Sequence, residues 1–226
     1  MKSLVALAVL TVLVSLVSAP ALRAQKSFEG TIVWTTMSQQ FGDDDKHDLL
    51  MNVKGTKFEA EMDLGVNGLI KLYPDFINNK MRIYIVAQKM GFEKSIGAGK
   101  SADGDVEFKS LGTKATIAGH PAEAYSLTTS KGEKVAWMTS DFPADVREEF
   151  MIGLRGLGKG NKKDRAAMEK LLAKGLVPIK IEEKEAGEVV GSLEFVKLDM
   201  HPIDDAVFAL PAGVHFQPAP AGMDGE

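Results

Sequence analysis

Between Thr116 and Thr139 the apolar residues Ile117, Tyr125, Leu127, Val135 and Trp137 all fall at odd positions. A period of two places them on one face of paired strands. A two-residue Lys131-Gly132 turn would pair odd with even positions and split that face. A three-residue loop, Ser130-Lys131-Gly132 with Gly132 left-handed, keeps it whole and sets Leu127 opposite Val135 and Tyr125 opposite Trp137. The three-residue loop is therefore the expectation. The same alternation recurs along most of the chain: Phe28, Ile32 and Trp34 alternate with Glu29, Thr31 and Thr35. Leu49, Met51 and Val53 are odd while Phe58, Ala60, Met62 and Leu64 are even. Gly55-Thr56, glycine first, suits a two-residue type II′ turn that pairs Val53 with Phe58, Met51 with Ala60 and Leu49 with Met62. Ile70-Leu72, Met81-Ile83-Ile85 and Met90-Phe92 continue the meander. Near the C-terminus Val177, Ile179 and Ile181 face a second run, Gly191, Leu193 and Phe195. A three-residue loop Glu185-Ala186-Gly187 would put Ile179 opposite Leu193 and Val177 opposite Phe195.

The period changes once. Asp141-Phe142-Pro143 has the chemistry of a helix start, an aspartate cap followed by proline, with Val146, Phe150 and Met151 as an apolar stripe. Glycines at 153, 156, 158 and 160 break that pattern. Asn161 then caps a second helical run, where Ala167, Met168, Leu171 and Leu172 share a face and Gly175 ends it. The expected fold is mainly β, of the α+β class. It is an antiparallel sheet of roughly nine or ten strands in sequence order, with helices over Pro143–Ile152 and Lys162–Lys174 on one side.

Ahead of the first strand, Lys2 precedes an apolar run from Leu4 to Val17 and small residues at Ser18, Ala19 and Ala21. That order is a secretory signal peptide. Residues 1–24 are assigned to it, with cleavage after Ala21 or Ala24, and the protein is expected to be periplasmic or secreted. The run is shorter than the ~20 residues a spanning helix needs, so the chain is not expected to span a membrane. Residues 25–216 form one β-rich domain, and the Pro/Gly/Ala-rich residues 217–226 a disordered tail. The chain has no cysteine, which excludes disulfides, thiolate metal sites and a cysteine nucleophile. A net charge of −4 with mixed signs gives no argument for nucleic acid.

The remaining chemistry is thin. Asp43-Asp44-Asp45 lacks the spacing of a calcium loop. Gly97-Ala98-Gly99-Lys100-Ser101 is half a phosphate-binding loop, with Lys94 where the first glycine belongs and no helix after the serine. His47, His120, His201 and His215 are far apart in sequence and make no metal motif. Glu182, Glu183 and Glu185 lie beside a hairpin turn as exposed strand charge, and no Gly-x-Ser-x-Gly elbow supplies a nucleophile. No catalytic residue, metal or cofactor is expected.

Four fragments carry a resemblance: Phe28-Glu29-Gly30-Thr31-Ile32, Ile117-Ala118-Gly119-His120 leading to Tyr125, Trp137-Met138-Thr139-Ser140-Asp141, and Val207-Phe208-Ala209-Leu210-Pro211-Ala212-Gly213. The chain resembles the exported bacterial domain-of-unknown-function family 4412. That group looks like the periplasmic half-barrels that include the lipoprotein carrier of the outer-membrane sorting system. The resemblance implies a curved sheet or half-barrel with the two helices on an apolar concave side. A cysteine often stands near Glu123 in that group; its absence here removes any redox role at that position. The resulting expectation is a non-enzymatic carrier or binding protein for a lipidic or other apolar ligand. The alternative is an envelope protein-binding factor using an exposed edge strand or the convex face. The candidate cavity and lid residues are Trp34, Met51, Phe58, Met62, Tyr125, Trp137, Phe150, Met168 and Leu171, with Gly153, Gly156, Gly158 and Gly160 as a hinge.

Overall fold

The protein is described by a computed structural model over residues 28–38, 46–65, 68–75, 77–95, 108–129, 132–144, 146–147, 150, 170–171 and 173–220. Period-two alternation becomes strand throughout. The first meander is β1 (Glu29–Ser38), β2 (Lys46–Lys54), β3 (Lys57–Asp63), β4 (Leu69–Asp75), β5 (Lys80–Ile85) and β6 (Met90–Ser95). The second is β7 (Phe108–Ile117), β8 (His120–Thr129), β9 (Gly132–Thr139), β10 (Val177–Glu185) and β11 (Glu188–Met200). β12 (Phe216–Pro218) follows a 3-10 turn at Asp205–Phe208. The twelve described strands make one open sheet in the order β12-β6-β5-β4-β3-β2-β1-β11-β10-β9-β8-β7. The two meanders are joined where β1 pairs antiparallel with β11. β12 adds parallel to β6.

Local chemistry explains the turns. Gly55 has φ 57 and Lys54 pairs with Lys57, the glycine-first two-residue turn anticipated, so Val53 faces Phe58, Met51 faces Ala60 and Leu49 faces Met62. At Ala118-Gly119 and Ala186-Gly187 both central residues have positive φ, which is the type I′ geometry whose twist matches the flanking strands. One face of β1–β3 and β10–β11 is packed. Phe28, Ile32, Trp34, Met51, Val53, Phe58, Ala60, Val177, Ile179 and Phe195 are buried together there. Phe142, Val146 and Phe150, from the chain after β9, close over them. A bulge between Val33 and Trp34 leaves Val196 out of the ladder and 43% exposed. That extra residue shifts parity, so Phe195 and Leu198 share the packed face.

Five expectations need correction. The α+β class with two helices on one side gives way to an all-β architecture, a single sheet whose described elements include no α-helix. Of the two helical runs only Ala144, Val146, Arg147, Phe150, Lys170, Leu171 and Ala173 are described with helical backbone. Gly175 ends the second with φ 76 and a Leu176 N–H to Leu171 C=O bond of 3.1 Å. What sets the strand order is the β1–β11 junction, which makes two meanders one sheet. Strand order is accordingly not sequence order, and β12 is parallel. In the central hairpin Thr129 pairs with Gly132 and Tyr125 with Ala136, so Trp137 lies opposite Ala124. The loop is two residues and the register is one off the expectation. In the β10–β11 hairpin Ala186-Gly187 is a two-residue loop with Glu185 opposite Glu188, and a bulge between Glu183 and Lys184 brings Ile181 opposite Leu193. Gln217 and Pro218, read as the start of a disordered tail, belong to β12.

The other face of the first meander is polar and carries the C-terminal segment. From Met200 at the end of β11 the chain crosses to β6. Lys54 Nζ donates to the Ile203 carbonyl at 2.8 Å, and Ile203 N–H donates to Glu29 Oε1 at 2.8 Å. Asp205 pairs with Lys54 at 3.0 Å and Lys57 at 2.9 Å. Gly91 leaves the space this segment fills, since a Cβ there would sit 2.7 Å from Val214 Cγ1 and 2.8 Å from Phe216 Cδ1. Gly91→Val should therefore push β12 off β6 while sparing the packed face. We expect faster proteolysis beyond residue 210, with an unfolding midpoint shifted by about 1 kcal/mol or less.

Candidate functional site

Both faces of β9 are covered. Val135 and Trp137 point to one side, Ala136 and Met138 to the other, and Val135, Ala136 and Met138 are all buried. Trp137 packs against the large core. On the opposite side Ala136, Met138 and Leu171 form a second cluster, flanked by Phe108, Tyr125 and Leu176. A pocket of 290 Å³, open to solvent, lies on that side, with Met138, Leu176 and Tyr125 as apolar lining and Lys114, Glu123, Thr139 and Ser140 as polar lining.

A bulge shapes its rim. β7 and β8 lose register between Ser110 and Lys114, where Gly112 takes φ 66. Gly112 N–H donates to Ser110 Oγ at 3.1 Å, and the Ser110 hydroxyl donates to Glu123. The carboxylate is thereby oriented by Ser110, although Lys114 is its direct cross-strand partner. Burial pushes the Tyr125 phenol up from its usual range, and the Glu123 charge adds to the effect.

His120, read from sequence as one of four scattered histidines, sits at the other end of the same hairpin with Nδ1 2.8 Å from Asp141 Oδ2. Its ring lies 4.4 Å from Phe142 and 5.7 Å from Phe195. The contact ties the Ala118-Gly119 turn to the segment that closes the core. No hydroxyl is bonded to its second nitrogen among the described residues. None of the described His, Asp or Glu residues group as a metal site. The pairing could not be read from spacing, because 21 residues separate the partners.

The expected cavity residues divide between the two sides. Trp34, Met51, Phe58 and Phe150 are buried in the main core with Met62 and Trp137 against it. Trp34 meets Phe150 at 5.6 Å and Phe195 at 5.8 Å, edge to face. These rings pack against one another over the sheet. The indole N–H groups of Trp34 and Trp137 are buried without an acceptor among the described residues. Tyr125 and Leu171 lie on the opposite side, at the second cluster. Met168 and the hinge residues Gly153, Gly156, Gly158 and Gly160 are outside the described residues. Among the described residues no helix is long and apolar enough to cross a membrane.

These features define, over the described residues, a single-sheet β protein with one packed apolar face, a shallow pocket at one end and a polar outer face crossed by the segment after β11. The chain belongs to the family described as Domain of unknown function (DUF4412), whose model matches residues 28–214. No curated protein matches it. Among solved structures it is similar to an uncharacterized conserved protein from Thermus thermophilus, at 10% identity and TM-score 0.48 over 83% of this chain and 91% of that one. It is similar also to MucB, solved in complex with MucA(peri), at 11% identity and TM-score 0.43 over 82% of this chain and 55% of that one. A DUF1329 family protein from Desulfovibrio piger matches at 10% identity and TM-score 0.35 over 82% and 91%. Likenesses this distant carry no argument about what this chain binds.

Proposed function

We propose that this is an exported, periplasmic or secreted, non-enzymatic binding protein that seats the apolar part of a lipidic ligand in the pocket between β7, β8 and β9. The supporting observation is the pocket itself, an apolar floor of Met138, Leu176 and Tyr125 beneath a rim bearing Lys114 and Glu123. Its 290 Å³ stands at the bottom of the roughly 300–1,000 Å³ typical of small-molecule sites. It suits one end of an amphiphile, with the remainder outside, and not a swallowed lipid. Export is supported by the signal-peptide pattern over residues 1–24, and mass spectrometry of the mature N-terminus from a fractionated cell would test it. Ser140 lines the mouth and is exposed, so Ser140→Trp should fill the pocket without disturbing the core. Titration of the protein with a fatty acid or an apolar fluorescent probe should show saturable binding, weakened at least tenfold by that substitution. One other observation favours a protein partner: among the described residues β7 is a ten-residue edge strand with β8 as its one neighbour in the sheet, a template for an added strand. Absence of saturable binding by the wild-type protein would end the lipid reading in favour of that one.

A further inference from the structure

Lys114 and Glu123 face each other across β7 and β8, a placement in which opposite charges ordinarily pair. Here the bulge between Ser110 and Lys114 separates them. It brings the Ser110 hydroxyl onto the Glu123 carboxylate, while the Gly112 N–H steadies Ser110 Oγ at 3.1 Å. The carboxylate thus finds its donor inside the hairpin. No carboxylate is bonded to the Lys114 ammonium among the described residues, and Lys114 is exposed. A cation is left without a partner at the mouth of a pocket whose floor is apolar.

The other polar groups around that mouth have hydrogen to give. Burial pushes the Tyr125 phenol up from its usual range, so near neutral pH it is an uncharged hydroxyl and a donor. Thr139 Oγ1 accepts from the Asp141 N–H at 3.1 Å, which leaves its own hydroxyl hydrogen to donate. Ser140 is exposed beside it. Asp141 itself is held by His120. The stretch that brings Leu171 and Leu176 to this side also carries Lys170 and Lys174, both exposed. Glu123 is the one carboxylate that lines the pocket. Donors and positive charge therefore prevail here, although the whole chain has a net charge of −4. A local field of that sign concentrates anions.

We infer that this pocket, taken as the ligand site proposed above, selects single-chain amphiphiles with an anionic head. The carboxylate or phosphate meets the Lys114 ammonium at the rim, and the methylene groups next to it lie on Met138, Leu176 and Tyr125. A charge-assisted hydrogen bond is roughly twice as strong as a neutral one, and an apolar floor strengthens it further by lowering the local dielectric. Among ligands with one chain, the head then decides. A cationic head would find only Glu123, which already holds Ser110.

Dodecanoate, dodecyl phosphate, dodecanol and dodecyltrimethylammonium share one chain and differ in the head. Each is titrated into the protein at neutral pH, below the concentration at which it forms micelles, with butyrate as an anion that lacks the chain. The two anionic amphiphiles should bind at least about tenfold more tightly than dodecanol, and added salt should narrow the gap. Lys114→Ala should bring them within about threefold of dodecanol while dodecanol binding stays as in wild type, since only the charged contact is removed. Lys114→Arg should keep the preference. Dodecanol or the cationic amphiphile binding as tightly as dodecanoate, or an anion preference that survives Lys114→Ala, would overturn the headgroup assignment and leave the apolar pocket standing. Butyrate binding as tightly as dodecanoate would overturn it too, by showing a site for free anions. If none of these compounds binds, the pocket reading fails and the headgroup assignment with it.

Discussion

Trp34→Ala should lower the free energy of unfolding by about 3–5 kcal/mol, the range for removing a large buried aromatic from a core that cannot collapse around the space. Trp34 is 0% exposed and packs edge to face with both Phe150 and Phe195. It therefore links β1 and β11 to the segment after β9. A chain without cysteine has no crosslink to offset the loss. Trp34→Phe separates packing from the indole N–H. It keeps a ring against Phe150 and Phe195 and removes a buried donor that has no described acceptor, an arrangement that costs about 1–3 kcal/mol when present. The phenylalanine variant should then cost less than half as much as the alanine one. Urea denaturation followed by circular dichroism reads both. A midpoint for Trp34→Ala within about 1 kcal/mol of wild type would mean that the aromatic cluster contributes little to holding the packed face.

The second large effect is expected at the seam. Gly30 pairs with Met200, and a Cβ built on it would lie 2.3 Å from the Asp199 carbonyl oxygen and 3.0 Å from both Met200 Cα and Phe28 Cζ. Two of the three obstacles are backbone and cannot rotate away. Gly30→Ala should cost about 3 kcal/mol, the upper end of the range for overpacking, because the only relief is separation of β1 from β11. That pairing joins the two meanders, so damage should show as lost cooperativity as well as lost stability: exchange protection in β1 and β11 falls first. Retained protection at that seam would show that the ladder shifts to admit a methyl group.

Much of the fold is legible wherever one face of a strand pair is buried and the turn is specific. The β2–β3 hairpin is the clearest case. Leu49, Met51 and Val53 are odd, Phe58, Ala60 and Met62 even, and a glycine-first turn of two residues is the solution that puts them on one face; the structure has that register. The same reasoning misplaced β8–β9 by one residue. There Met138 and Ala136 are as buried as Val135, so parity no longer distinguishes one face from the other, and Tyr125 and Trp137 lie on opposite sides. At β10–β11 a bulge after Glu183 restores odd-with-odd pairing beyond the two-residue loop but leaves the register two residues from the expected one, which alternation alone cannot reveal. Trp34, Met51, Phe58 and Met62 share the packed face, because that much follows from period two. Whether that face encloses space or is filled depends on Phe142 and Phe150, whose position no local pattern specifies.

Local alternation and turn chemistry suffice for the strands, most of their inward and outward faces and the β2–β3 register, because these depend on neighbours two residues apart and on single turns. The closure of β1 on β11, the parallel return of β12 to β6 and the meeting of His120 with Asp141 arise only when the whole chain folds. So does the burial of Glu59, an outward position by every local rule. Contacts between residues far apart in the chain leave no periodic trace. They are chosen by the global balance of buried apolar area against chain entropy, which a reading of local alternation does not contain.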